Sequence, residues 1–278
     1  MAASDGTDAE VRLAEHAASP LGMFDGPRYA RIAVASKTDY AKALPFPHCT
    51  LDNFLPDKLY ASVIRELPAS GGPDWISRQT DNNRRRYQHD ETKLPKLLRA
   101  VVREFSSRQL LLFLETLTGI DGLIADPYLL GGGLQYAGRG DYLKVHADWN
   151  WHHKLQLHRR VNALLYLTTE WDETWGGPLE LWDSSDSLEP RVKLDPRPNR
   201  LVVFNTGTET YHGHPEPLEC PSDVWRRALN MYFYTALAGD DPADPGFTRY
   251  RVTESPLAMS IMEGYLANAE RDDDQTSL

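Results

Sequence analysis

The segment Tyr142-Leu-Lys-Val-His146-Ala-Asp148 places an imidazole and a carboxylate two residues apart in a run that reads as a strand or its end. In a strand, positions i and i+2 project from one face about 6 to 7 Å apart, so both heads can reach one ion. A neutral imidazole nitrogen and a carboxylate oxygen are the mixed donors that a divalent transition metal accepts. A second window, NRLVVFNTGTETYHGHPEP, sets His212 and His214 just after a strongly apolar run, inside a Gly- and Pro-rich turn. One further histidine from it would complete a set of two histidines and one carboxylate on one face of an octahedral ion, leaving the remaining positions open. A third element, WRRALNMYFYT, carries Arg226 and Arg227 into an aromatic strand. A buried guanidinium is costly without an anion, and period 2 sends at least one of the two outward. The other can offer its planar fork to a carboxylate.

These residues need a scaffold, and the chain is long enough to build one. It has 278 residues, 30 basic and 40 acidic side chains, and a formal charge of −10 at pH 7. The acidic balance argues against sequence-independent nucleic-acid binding and against docking on acidic membranes. No stretch approaches the roughly 18 apolar residues of a membrane span, and the first 20 residues lack the basic start and apolar run of a secretory signal. Cys49 and Cys220 are the only cysteines, too few for a disulfide framework and suited to a reducing cytosol, so a cytoplasmic location is expected.

Residues 1–20 read as a loosely ordered tail with a short helix near Ala9 to Ala18, and ERDDDQTSL, from 270 onward, as a solvated end. PFPHCTLDNFLP reads as the entry to a strand. A helix is expected over Asp57 to Leu67, where Leu59, Val63, Ile64 and Leu67 recur at helical spacing behind Pro56. A second helix is expected from Leu94 to Leu117, closed by Gly119. After residue 120 the period turns extended, with many short apolar runs broken by Gly, Pro, Asn and Asp. The expectation is therefore one α+β domain over 1–278, with tails at 1–20 and 269–278, helical support over about 45–120 and a jelly-roll core over about 120–240.

Taken in order, these motifs resemble the prolyl 4-hydroxylase-like branch of the Fe(II)- and 2-oxoglutarate-dependent oxygenases, whose core is a double-stranded β-helix. PFPHCTLDNFLP is similar to that family's opening strand and turn, WGGPLELWD to its Gly-Gly strand, and YHGHPEPL with RRALNMYFYT to its closing segment. The resemblance implies Fe(II) held by His146, Asp148 and His212, the last chosen over His214 because the family's ligand directly precedes glycine. It implies that Arg226 binds the far carboxylate of 2-oxoglutarate, with Tyr136 and Tyr166 matching hydroxyls that touch this cosubstrate. Both tyrosines also read as core residues. Asn162, four residues before Tyr166 on the same strand face, is a further cosubstrate candidate. His214, His152, His153 and His158 are left as loop, rim or packing residues.

The implied activity is hydroxylation of an unactivated C–H bond using O2, with succinate and CO2 as coproducts. Arg227-Ala228 departs from relatives that carry a serine two residues beyond the arginine, and retention of Asp148 disfavours halogenation. A small molecule, such as a free or tethered amino acid or a natural-product intermediate, is the first expectation for substrate. A prolyl or other residue in a peptide or protein is the second. A non-catalytic jelly-roll binding module and a zinc hydrolase are the readings from other classes, and a homodimer is compatible with the sequence. Trp149 and Trp151 are candidates for the cavity entrance. Asn82 to Gln88 reads as a loop whose Arg84 and Arg86 could meet a substrate carboxylate, against a solvated charge run.

Overall fold

The structure is a computed structural model, described here for residues 24–69, 74–236 and 248–251. The expected helix near Ala9 to Ala18 and the acidic end lie outside the described residues. In chain order the elements are α1 (Gly26–Lys42), β1 (His48–Leu51), α2 (Asp57–Glu66), β2 (Ile76–Thr80), β3 (Asn83–Gln88), α3 (Lys96–Phe105) and α4 (Arg108–Thr118). They are followed by β4 (Ile124–Ala125), β5 (Gly133–Ala137), β6 (Tyr142–Ala147), β7 (Trp151–His152), β8 (Leu157–Tyr166), β9 (Leu179–Trp182), β10 (Val192–Leu194), β11 (Leu201–Asn205), β12 (Tyr211–His214), β13 (Arg226–Thr235) and β14 (Arg249–Tyr250). Among the described residues no helix is long and apolar enough to cross a membrane.

Local chemistry sets the helix ends. The Asp25 side chain accepts from Arg28 N at the start of α1, with Pro27 in the first turn, a capping signal the sequence reading passed over. The single helix expected over Leu94 to Leu117 is two. Ser106 closes α3, and the Ser107 hydroxyl accepts from Leu110 N to start α4, so a side-chain cap breaks an apolar periodicity that otherwise runs through. Gly119 ends α4 in the left-handed region at φ 72°, where a side chain would be strained.

The strands form one antiparallel sheet in the order β1-β11-β8-β13-β5-β3-β6-β12-β9-β10, rolled into a nearly closed barrel of the double-stranded β-helix type. Strand β3 makes the corner: Arg86 to Gln88 pair with β5, and Asn83 and Arg84 pair with β6. Alternation divides the leaf that carries the helices. Val161, Ala163 and Leu165 of β8, Leu201 and Val203 of β11, and Leu229, Met231 and Phe233 of β13 pack with the helical residues Tyr29, Val63, Leu98, Phe105 and Phe113 in one core. Burying side chains of this size contributes on the order of 1.5 to 3 kcal/mol each before entropy is counted. The opposite face sends Leu164, Tyr166, Val202, Phe204 and Ala228 into the barrel, where Leu179 and Leu181 of β9 meet them. That apolar interior frames the polar site.

Candidate metal and anion site

His146 on β6 and His212 on β12 are directly opposed register partners, which brings their ring centroids to 4.6 Å. Asp148 follows β6 two residues on. One donor atom from each of the three lies within 4.8 Å of the others. Each imidazole is oriented from behind by a backbone carbonyl: His146 Nδ1 donates to Lys144 O at 2.8 Å, and His212 Nδ1 to Thr210 O at 2.9 Å. A carbonyl only accepts, so in the neutral rings both Nε2 atoms carry lone pairs. These face the carboxylate, His146 Nε2 at 3.4 Å from Asp148 Oδ1 and His212 Nε2 at 3.4 Å from Oδ2. Burial, and then the neighbouring His212, push the His146 pKa down, which favours the neutral ring. Lone pairs gathered around a carboxylate call for a cation, and this donor set fits a divalent transition metal.

The carboxylate is tightly held. Asp148 Oδ2 accepts from Arg159 Nη2 and from Asn162 Nδ2, each at 2.8 Å, while Asn162 Oδ1 accepts from Arg159 Nε at 2.9 Å and from Thr206 Oγ1 at 3.1 Å. Burial, the largest single influence, would raise the Asp148 carboxyl, but the Arg159 guanidinium and the two histidines together outweigh it and hold the group well below the usual carboxylate range. Arg159 is itself buried and lies over the Tyr232 ring at 3.5 Å and the Trp149 ring at 5.1 Å. It is a site residue that sequence reasoning missed. Strict alternation sets positions 159 and 162 on opposite faces, but a bulge in β8, where Phe233 pairs Val161 and Tyr234 pairs Arg159, turns both inward. The signal available was the paired arginine entering an apolar strand, the argument already applied to Arg226.

Arg226 is buried and donates from Nε to Gly177 O and from Nη2 to Tyr166 Oη, each at 2.8 Å. Gly177 sits at φ +72°, and a Cβ there would run into Leu218 and come within 3.3 Å of Arg226 Cδ. Its missing side chain leaves room for the arginine. Among the described residues Arg226 makes no ion pair with a carboxylate. Burial lowers its pKa, yet a guanidinium keeps its proton at neutral pH. The cavity of about 130 Å³ that it lines also contains His146, Asp148 and His212. A buried, unneutralised fork beside metal donors fits the remote carboxylate of a chelating dianion such as 2-oxoglutarate.

The remaining expected site residues divide. Asn162 and Trp149 line the cavity, and Tyr166 stands behind Arg226. Tyr136 does not face it: its hydroxyl donates to Pro68 O at 2.9 Å and its ring packs on Trp75 and Trp225. Its neighbour Gln135 takes the inward position. Trp151 packs on His158 at 4.7 Å, outside the cavity lining. The segment read as a loop at Asn82 to Gln88 contains β3, hairpin-paired with β2. Arg84 there pairs with Asp141 at 3.1 Å and Arg86 stacks over Trp225 at 4.9 Å, both away from the metal donors, whereas Arg85 lines the cavity. His214, left aside as a loop or packing residue, is buried in the cavity wall with no hydrogen-bond partner for Nδ1. Burial pushes its pKa well down.

In fold and in donor set the chain is similar to the iron- and 2-oxoglutarate-dependent dioxygenases. Residues 132–234 match the 2OG-Fe(II) oxygenase superfamily, and the three donors and the buried arginine fit Fe(II) and 2-oxoglutarate. Among curated proteins the chain is similar to prolyl 3-hydroxylase OGFOD1 of Mus musculus, 26% identical over 199 residues that cover 68% of this chain and 33% of that protein. It is also similar to prolyl 3-hydroxylase sudestada1 of Drosophila melanogaster, 30% identical over 106 residues, 34% of this chain and 18% of that protein. The chain thus spans about a third or less of the curated relatives it matches. In fold it is similar to a Pseudomonas putida prolyl-4-hydroxylase, with a TM-score of 0.51 at 19% identity over 73% of this chain and 98% of that one. A Trichoplax adhaerens prolyl hydroxylase, solved with a hypoxia inducible factor peptide fragment, gives 0.51 at 16% identity over 78% and 95%.

Proposed function

We propose that the protein hydroxylates an unactivated C–H bond of a prolyl residue in a peptide or protein, with His146, Asp148 and His212 as the Fe(II) ligands and Arg226 as the anchor of 2-oxoglutarate. The observation that carries the chemistry is the convergence, in one cavity, of three metal-type donors and a buried guanidinium that pairs with no carboxylate among the described residues. With Fe(II), 2-oxoglutarate and O2 bound, the chemistry supplied is oxidative decarboxylation coupled to C–H oxidation, giving succinate and CO2. The chain's own residues orient and enclose. Lys144 O and Thr210 O fix the imidazoles with Nε2 forward, and Arg159 with Asn162 fixes the carboxylate, a supporting shell of the kind that tunes metal affinity. Tyr166 Oη and Gly177 O aim Arg226. Leu164, Leu179 and Phe204 line the cavity with apolar surface that limits water.

The prolyl assignment is supported by the names of both curated relatives. A small molecule, the first expectation from sequence, is the second reading, and the compact, arginine-lined cavity favours it. Anaerobic addition of Fe(II) and then 2-oxoglutarate to the apoprotein tests the chemistry: a weak visible charge-transfer band is expected, absent in His146→Ala. A wild type that gives no band refutes the oxygenase reading. Succinate release with prolyl peptides against free amino acids then separates the two substrate classes.

A further inference from the structure

We infer that Arg85 binds a carboxylate carried by the substrate and so selects acidic substrates; the inference rests on the oxygenase reading and deepens it. Arg85 occupies the corner of β3, between the residues that pair with β5 and those that pair with β6, so two registers fix its backbone. Its Nη1 donates to Gln135 Oε1 at 2.6 Å, while its Nε is buried and has no hydrogen-bond partner among the described residues. Among the described residues Arg85 makes no ion pair with a carboxylate, unlike its neighbour Arg84 with Asp141.

The charge balance of the cavity points the same way. Arg78, Arg85, Arg159 and Arg226 line it, and Asp148 is the one carboxylate among the lining residues. Arg159 is committed to Asp148. A divalent metal and a dianionic cosubstrate together add no net charge, so even with the cosubstrate's far carboxylate on Arg226 the lining keeps an excess of positive charge. Arg85 places a guanidinium in the cavity lining, where no carboxylate of the described residues pairs with it. An oriented guanidinium of this kind is matched by a carboxylate through parallel hydrogen bonds. That carboxylate can be the free acid of a small molecule or an acidic side chain beside a target proline.

Two pairs of probes separate these sources on the anaerobic Fe(II)- and 2-oxoglutarate-loaded protein, with dissociation constants read by calorimetry. N-acetyl-L-proline against N-acetyl-L-prolinamide tests the free acid; acetyl-Pro-Glu-amide with acetyl-Glu-Pro-amide, against their Gln counterparts, tests the acidic neighbour. In the wild type at least one acid is expected to bind tenfold or more tighter than its amide. In Arg85→Gln the ratio should fall to within twofold while the 2-oxoglutarate chelate band persists, and Arg85→Lys should restore part of the preference. Equal binding of acids and amides, failure of every acid probe to bind, or a preference that survives in Arg85→Gln overturns the inference. Loss of the chelate band in Arg85→Gln also overturns it, by assigning Arg85 to the cosubstrate. A wild type with no chelate band instead sinks the oxygenase reading itself.

Discussion

Replacing Arg226 by Met should separate stability from cosubstrate binding. In the apoprotein the guanidinium is buried with two hydrogen bonds and, among the described residues, no carboxylate partner. Desolvating such a charge costs several kcal/mol, and hydrogen bonds from a charged group return about 1.5 to 3 kcal/mol each. Removal forfeits those bonds and strands Gly177 O and Tyr166 Oη, but it also lifts the desolvation cost, so the terms nearly offset. The variant is expected to melt within about 3 °C of the wild type, equivalent to about 1 kcal/mol for a domain of this size. Cosubstrate binding has no such offset. Truncating one partner of a buried charge pair costs about 2 to 5 kcal/mol, or roughly 30- to 5,000-fold in affinity. Thermal melts with Zn(II) in place of Fe(II) read both quantities at once. At 100 times its dissociation constant 2-oxoglutarate stabilises the wild type by about 2.7 kcal/mol, a rise of about 5 to 10 °C, and the same concentration should raise Arg226→Met by no more than about 0.9 kcal/mol, or about 2 to 4 °C. A variant that keeps the ligand-induced rise, or whose apoprotein melts more than about 10 °C lower, refutes the reasoning.

Two other perturbations test neighbouring parts of the argument. Arg159→Leu should weaken Fe(II) or Zn(II) binding about ten- to a hundred-fold, as loss of a supporting partner does; competitive chelator titration reads it, and a change under threefold would clear Arg159 of that role. Asp52 accepts from Arg200 at 2.5 and 2.9 Å, which lowers its pKa in the folded state. Its contribution is therefore full above the unfolded-state value, about 3.9, and fades as pH falls through the lower folded value. Urea titrations at pH 7 and pH 3 should show a smaller acid-dependent loss of stability in Asp52→Asn, and identical losses would argue against the linkage.

The convergence of His146, Asp148 and His212 was legible because the pattern is local: two residues apart on a strand, with a third at the end of an apolar run. The structure sets His212 opposite His146 across one strand pair. What lay hidden depends on pairing. All five residues of β5 are buried, so alternation of polarity could not say whether Gln135 or Tyr136 faces inward. The run NRRRYQ has no apolar alternation and becomes a strand through its partners β2, β5 and β6, which is why Arg85 was passed over for Arg84 and Arg86. Arg159 was concealed by a bulge that no single-sequence periodicity registers. The helix break at Ser106 and Ser107 and the capped start of α1 were written in the residues, but apolar spacing drew attention away from them.

Asp148 has a mechanical role that its chemistry obscures. His146 and His212 lie on one leaf of the barrel, β6 and β12, whereas Arg159 and Asn162 lie on β8 in the other. The Asp148 carboxylate reaches both. It acts as a rivet through the two leaves, placed where their apolar packing gives way to the cavity. The same two oxygens that face the imidazoles thus tie the two leaves together at the cavity.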